Sequence, residues 1–156
     1  MQRAETTFAI EVETQFSAAH AILLAGERET LHGHDWRVVV SLAGERLDGE
    51  ELLCDFHAAE RMLAEVVAPF VGRNLNDTPP FDRINPTAEA LARHIADELD
   101  ARLATQRVCL EWVRVTEAPR CTAVVRRGPR FPAGSAAQPS LSTTTTTRTT
   151  TTRTTT

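Results

Sequence analysis

The sequence contains no lysine: all 17 of its fixed cations are arginine, set against 21 aspartates and glutamates for a net charge of −4. That balance provides no basic footprint for nucleic acid or for an anionic membrane surface, and the exclusive use of arginine reads as a composition bias. Cysteine is also scarce. Cys54, Cys109 and Cys121 are widely spaced and form no C-x-x-C, so a disulfide framework is not expected and reduced thiols are. No apolar run approaches eighteen residues, and the opening stretch Met1 to Thr7 has neither the basic segment nor the apolar run of a secretory leader. The expectation is a cytoplasmic protein without a membrane partner. Beyond about Ala133 apolar groups run out as well, leaving Gly, Ser, Ala, Gln and Pro and then a threonine tract interrupted by Arg148 and Arg153. Such a segment cannot offset its ordering entropy, so residues 133–156 are expected to be a disordered tail and residues 1–132 one domain. A domain of about 130 residues can bury one modest core, and a small sheet of that size often needs a partner subunit over its second face, which favours a homo-oligomer.

The remainder is ordinary for a folded domain, with 42% hydrophobic and 24% charged residues. From Thr7 to Gln15 the chain alternates, Phe8, Ile10 and Val12 against Glu11, Glu13 and Gln15, which predicts a half-buried strand that delivers His20 at its far end. Residues 21–30 carry Gly26 and the charges Glu27, Arg28 and Glu29 and read as an irregular loop. A second strand opens at His32 and His34 and continues through Trp36, Val38, Val40 and Leu42; Ala43 to Glu51 is a turn-rich exit. Ala59, Met62, Leu63, Val66 and Val67 then recur at helical spacing, with Asp55 placed to cap the first turn. Residues 73–86 form a loop rich in asparagine and proline. Thr87-Ala88-Glu89 starts a second helix with Leu91, Ile95 and Leu99 on its apolar stripe. Strands at Val108 to Glu117 and Cys121 to about Arg126, joined by a turn at Pro119-Arg120, complete the order strand, strand, helix, helix, strand, strand. Strands enclosing a run of helices predict an α+β fold with helices on one face of the sheet.

The histidines carry the chemistry. His32 and His34 flank Gly33, and on a strand two side chains separated by one residue share a face. Gly33 leaves room above the backbone, and His20 can close a trigonal set. Three neutral imidazoles suit Zn²⁺ and leave a fourth position open for water or substrate, which is the catalytic pattern. The alternative for an H-x-H pair is a set of surface or internally satisfied histidines. Of the five histidines in the chain, three fall within this short stretch, which favours the metal.

Several motifs in sequence order resemble one family. Phe16-Ser17-Ala18-Ala19-His20, Leu31-His32-Gly33-His34, Cys54-Asp55-Phe56, Leu75-Asn76, Pro86-Thr87-Ala88-Glu89 and Val113-Arg114-Val115-Thr116-Glu117 resemble the successive landmarks of the 6-pyruvoyl-tetrahydropterin synthase and 6-carboxytetrahydropterin synthase family, over about residues 8–127. The resemblance implies a tunnelling fold, a four-stranded antiparallel sheet with two helices on one side, assembled as a trimer or hexamer. It implies zinc held by His20, His32 and His34, and a pterin ring anchored by Glu117, whose carboxylate can accept two hydrogen bonds from the amino-pyrimidine edge. Glu117 could otherwise be an exposed charge at a strand end. The implied activity is a zinc-dependent lyase acting on 7,8-dihydroneopterin triphosphate, the 6-carboxy-5,6,7,8-tetrahydropterin synthase of the queuosine and 7-deazaguanine route.

The chain departs from that family in two places. The usual cysteine four residues before the H-G-H is Arg28, and the usual Asp-His pair falls on Val71 and Gly72, neither of which can carry a proton. In its place Glu29-Thr30-Leu31-His32-Gly33-His34 has the E-x-x-H-G-H form of a variant class associated with forming 6-hydroxymethyl-dihydropterin, a folate precursor. Glu29 is therefore the candidate catalytic residue, able to shuttle a proton if its environment suits, or else a solvated charge of the loop. His57 and His94 match no motif and read as surface or helix-face histidines, and Cys54 as a small buried apolar residue. Three readings remain open: the carboxy-pterin synthase, the hydroxymethyl-pterin-forming variant, and a non-catalytic zinc- or pterin-binding paralogue.

Overall fold

The protein was analysed as a computed structural model that describes residues 6–104 and 106–128; the boundary at residue 132 and the threonine-rich tail lie outside the described residues. Strand β1 spans Phe8–His20 and pairs antiparallel along its whole length with β4, His32–Gly44. Strand β5, Cys109–Ala118, lies beside β4, and β6, Cys121–Arg126, forms the outer edge, giving the order β1-β4-β5-β6. Helix α1, Phe56–Val67, and helix α2, Ala88–Leu103, pack on one face, α1 against β1 and α2 against β5 and β6. This is the expected α+β arrangement.

Alternation produces the two faces. Val12, Phe16 and Ala18 of β1, Trp36, Val38, Val40 and Leu42 of β4, and Val113 and Val115 of β5 point under the helices and are buried. Leu63 of α1 and Leu91, Ile95 and Leu99 of α2 meet them with at most 1% exposure, and complete burial stabilises each such side chain by about 1.5–3 kcal/mol. Both helices start where predicted: the Asp55 carboxylate accepts from the amide of His57 at 2.9 Å, and the Thr87 side chain accepts from the amide of Ala90 at 3.2 Å. The second face of the sheet is largely polar, with Glu13 paired to Arg37 and the Arg114 guanidinium stacked 4.6 Å from the centre of the Trp112 ring.

Two local features differ from the sequence reading. Strand β1 does not stop near Gln15 but continues through the Phe16-Ser17-Ala18-Ala19 motif, so His20 lies within the ladder. The supposed loop at residues 21–30 contains a small hairpin of β2, Leu23–Leu24, and β3, Glu27–Arg28. Ala25 and Gly26 turn it with φ of 52° and 87°, the left-handed pair of a type I′ turn, which matches strand twist.

Candidate metal and pterin site

The β1/β4 register builds the site. His20 lies directly opposite His32, and Ala18 lies opposite His34, so all three imidazoles rise from one end of the helix-covered face. Their ring centroids are 4.8–5.2 Å apart, and one ring nitrogen from each falls within 4.8 Å of the others. Beneath them the buried Trp36 ring meets His20 and His34 edge-on, at 4.9 and 5.6 Å, while its Nε1 donates to the carbonyl of Ala18 at 3.2 Å. Trp36 is an apolar floor that keeps the cluster dry on its inner side.

The hydrogen bonds select which nitrogen is offered. His20 Nδ1 lies 2.8 Å from the carbonyl oxygen of Pro86 and His32 Nδ1 lies 2.8 Å from that of Thr30. A carbonyl can only accept, so both Nδ1 atoms donate and both Nε2 atoms present a lone pair, the usual way a ligating histidine is oriented. Nε2 of His20 and of His34 are buried and make no hydrogen bond of acceptable geometry. The nearest polar group is the Glu117 carboxylate, which can only accept, so with both rings neutral their lone pairs face an anionic oxygen, an arrangement that costs free energy unless a cation lies between them. A cation among the three nitrogens removes that cost, and the donor set therefore fits a metal. Burial is the main cause holding His34 below the usual imidazole range, with Glu117 opposing it, and this favours the neutral, ligating form. Gly33 between the ligands is not required by crowding, because a Cβ there would meet only the Ala18 carbonyl, at 3.9 Å.

Glu117 comes from β5, two residues after Val115 and so on the same helix-covered face as the histidines. In the β5/β6 register Thr116 pairs with Thr122 and Ala118 with Cys121, so Glu117 is the extra residue of a bulge. Its Oε1 lies 2.9 Å from Nε2 of His20 and 3.7 Å from Nε2 of His34. It also lines a cleft of about 420 Å³ with Thr87, Glu89, Cys121 and Thr122. Glu89 is a second carboxylate in that cleft which the sequence reading had treated only as a helix start.

Glu29 lies across the hairpin from this cleft. It is exposed and lines a larger cleft, about 650 Å³, together with Arg28, Asn76, Asp77, Asp82 and Asn85; neither Glu117 nor any of the three histidines is among the residues lining it. Gly72, at the position expected for the family histidine, has φ of 67° and lines a third cleft with His34 and Asp35. The Asp35 carboxylate there accepts from the Ser17 hydroxyl. His57 is exposed beside Glu60, and His94 is half-buried against Phe70 and Phe81. Cys54 is partly buried against the core. None of these three joins the cluster.

Comparison with known proteins gives the family. The family model for 6-pyruvoyl tetrahydropterin synthase matches residues 9–128. The chain belongs to that family. A protein of Archaeoglobus fulgidus assigned as a 6-carboxy-5,6,7,8-tetrahydropterin synthase is 32% identical over 123 residues, covering 79% of this chain and 99% of its own length. The 6-carboxy-5,6,7,8-tetrahydropterin synthase of Bacillus subtilis is 30% identical over 132 residues, covering 78% and 88%. Among solved structures, the 6-pyruvoyl tetrahydropterin synthase of Caenorhabditis elegans superposes with a TM-score of 0.69 at 20% identity, over 81% of this chain and all of that one. The fold is thus that of the family, and no helix among the described residues is long and apolar enough to cross a membrane.

Proposed function

We propose that the protein is a zinc-dependent pterin lyase that converts 7,8-dihydroneopterin triphosphate and water to 6-carboxy-5,6,7,8-tetrahydropterin, the other two side-chain carbons leaving as acetaldehyde and the phosphates as triphosphate, in the cytoplasm, on the queuosine and 7-deazaguanine route. The observation that carries this reading is the convergence of three unpartnered or lone-pair-presenting imidazoles and a carboxylate in a chain whose relatives bear that product's name. Zinc, when bound by His20, His32 and His34, would supply Lewis-acid polarisation of a side-chain oxygen of the substrate. The chain's own residues do the rest. Glu117 accepts a planar pair of donors from the pterin edge, which fixes the ring in its cleft. Pro86 and Thr30 hold His20 and His32 in the ligating tautomer. Trp36 excludes water below the cluster. Glu29 takes the proton from the substrate side chain and returns it, the role left without an owner by Arg28, Val71 and Gly72.

A second reading, formation of 6-hydroxymethyl-dihydropterin, is favoured by the E-x-x-H-G-H form. In the 6-pyruvoyltetrahydropterin synthase of Plasmodium vivax, which shares the fold with a TM-score of 0.62 at 21% identity, the glutamate replaced by alanine or cysteine in two structures is described as a catalytic residue. The working unit is proposed to be a homo-oligomer, trimer or hexamer. The edge strands β1 and β6 and the exposed Leu23, Leu24, Leu31 and Val71 support self-association. Sedimentation showing a well-folded monomer at micromolar concentration would overturn that part.

The deciding experiment is turnover of 7,8-dihydroneopterin triphosphate with identification of the pterin product. Glu29→Gln keeps size and polarity but removes the ionisable proton, so kcat should fall about 10²–10⁴-fold with zinc and pterin binding intact. Glu117→Ala should lose pterin binding first while zinc is retained; loss of zinc instead would make Glu117 a ligand. Wild-type protein that binds pterin without turnover would identify a non-catalytic paralogue.

A further inference from the structure

The β1/β4 ladder ends at the pair His20 and His32, yet the chain from Ala21 to Leu24 runs on in extended form towards the hairpin that carries Arg28 and Glu29. Two asparagine side chains replace the missing strand. The Asn76 amide accepts from the backbone N–H of Ala21 at 2.8 Å and donates to the Ala21 carbonyl at 2.9 Å. Two residues on, the Asn85 amide accepts from the N–H of Leu23 at 2.7 Å and donates to the Leu23 carbonyl at 3.0 Å. Each primary amide thus reproduces the donor and acceptor of a peptide group, and the two-residue interval is the strand repeat. The residue between them, Ile22, faces the other way, and its carbonyl accepts from the N–H of Glu29 at 3.0 Å. The Arg28 guanidinium closes the same unit by donating to the carbonyl of Ala21 at 3.1 Å.

Both asparagines are themselves fixed. The backbone N–H of Asn76 bonds to the Asn74 side chain at 3.2 Å, at the start of a 3₁₀ turn over Leu75–Asp77. Asn85 precedes Pro86, whose carbonyl receives the Nδ1–H of His20. One loop therefore orients a metal ligand through Pro86 and grips the Glu29 hairpin through Asn76 and Asn85. From this we propose that Asn76 and Asn85 are positioning residues: they hold segment 21–24, and through Ile22 they fix the backbone of Glu29, whose exposed side chain lines the cleft shared with Asn76, Asn85 and Pro86. Neither touches substrate. The role assigned to Glu29 rests on the reading given under Proposed function; the anchoring of the hairpin does not.

The test uses the zinc-loaded full chain carrying Asn85→Ala or Asn76→Asp. The Asn85 bonds are exposed, so Asn85→Ala leaves no buried group unsatisfied and should fold; Asn76→Asp keeps the acceptor for the Ala21 N–H but replaces the donor by an anionic oxygen facing the Ala21 carbonyl. Amide exchange at residues 22–29 should quicken about 10–100-fold in either variant while exchange in the helix cores stays as in wild type. Turnover should show kcat down about 10-fold or more, with KM and zinc content little changed, because ring anchoring by Glu117 and metal ligation are left intact. A merely structural asparagine would lower stability throughout and leave the ratio of kcat to KM effects flat. Unchanged exchange at residues 22–29 in both variants overturns the anchoring. Quickened exchange with unaltered kcat overturns the positioning of Glu29. A wild type that is inactive from the start refutes the assigned reaction and, with it, the Glu29 half of the proposal, while the exchange result still decides whether the asparagines anchor the hairpin.

Discussion

His32→Ala isolates the metal from the fold. Of the three histidines His32 is the exposed one, it fills no part of the core, and the one hydrogen bond it loses runs to the Thr30 carbonyl on the surface. His20 is unsuitable for this purpose, because at 1% exposure and packed on Trp36 its removal opens a cavity whatever it ligates. With zinc at about 100 times its dissociation constant, binding to the native state alone stabilises by about 2.7 kcal/mol. Losing one of three ligands should weaken binding by about 100-fold or more, since loss of a mere supporting partner already costs 10–100-fold. At the same zinc concentration the variant then retains about 0.4 kcal/mol, a deficit of about 2.3 kcal/mol. For a domain of about 120 residues this corresponds to roughly 7–12 °C less zinc-induced gain in Tm. The assay is thermal unfolding of wild type and His32→Ala across a zinc titration, with chelator as the zero point and His57→Ala as the control histidine, exposed and distant in kind. Equal zinc-dependent shifts in wild type and His32→Ala, or no shift in wild type, would refute the three-histidine site.

Two further outcomes follow from burial. Cys121 is exposed and Cys109 is buried, while burial and then the neighbouring Asp55 charge push the Cys54 thiol up; iodoacetamide followed by peptide mapping should therefore modify Cys121 well before the other two, and comparable labelling of all three would show the packing to be wrong. His94 is held below the usual imidazole range chiefly by burial between Phe70 and Phe81, with Glu98 and Asp97 opposing. Its folded form therefore binds a proton less readily than its unfolded form, so stability contributed at neutral pH is lost as pH falls below about 6.5. His94→Phe should flatten that part of the fall in urea midpoint between pH 7 and 5, and identical slopes for the two proteins would count against it.

What the sequence made legible follows physical range. The long strands and both helices were readable because their periods are local: Phe8, Ile10 and Val12 alternate, and Leu91, Ile95 and Leu99 recur every four residues. His32 and His34 were paired by the same local rule. That His20 sits opposite His32 depends on register, which is a property of two strands and of the hairpin between them. The hairpin itself was missed because Ala25-Gly26 lacks the Asn-Gly or Asp-Gly signature of its turn and because its strands are two residues long. Glu117 entered through resemblance; its closeness to His20 depends on the β4/β5 pairing, a long-range property that the residues Thr116 to Ala118 do not show. Asn76 and Asn85 lie among prolines where asparagine ordinarily reads as a turn former, and their partners are more than fifty positions away.

The site therefore divides its tasks between two kinds of structure. The imidazoles stand on β1 and β4, joined by an unbroken ladder from Phe8 to His20 and floored by Trp36, so their geometry is carried by many hydrogen bonds and a close-packed core. The group assigned to proton transfer stands on a hairpin of two-residue strands held by two asparagine side chains. A substitution on that hairpin changes the acid–base group without disturbing the ladder beneath it. In this chain, where the family pattern leads one to expect a cysteine, Arg28 instead ties the hairpin back to Ala21, and the next residue, Glu29, puts a carboxylate on the cleft that Asp77 and Asp82 also line. The histidine cluster and the hairpin are joined through the His20–Ala21 peptide bond, the Arg28 bond to the Ala21 carbonyl, the loop that carries Asn76, Asn85 and Pro86, and the short link from Thr30 to His32; a side chain on the hairpin can be exchanged while these backbone joins keep the cluster in place.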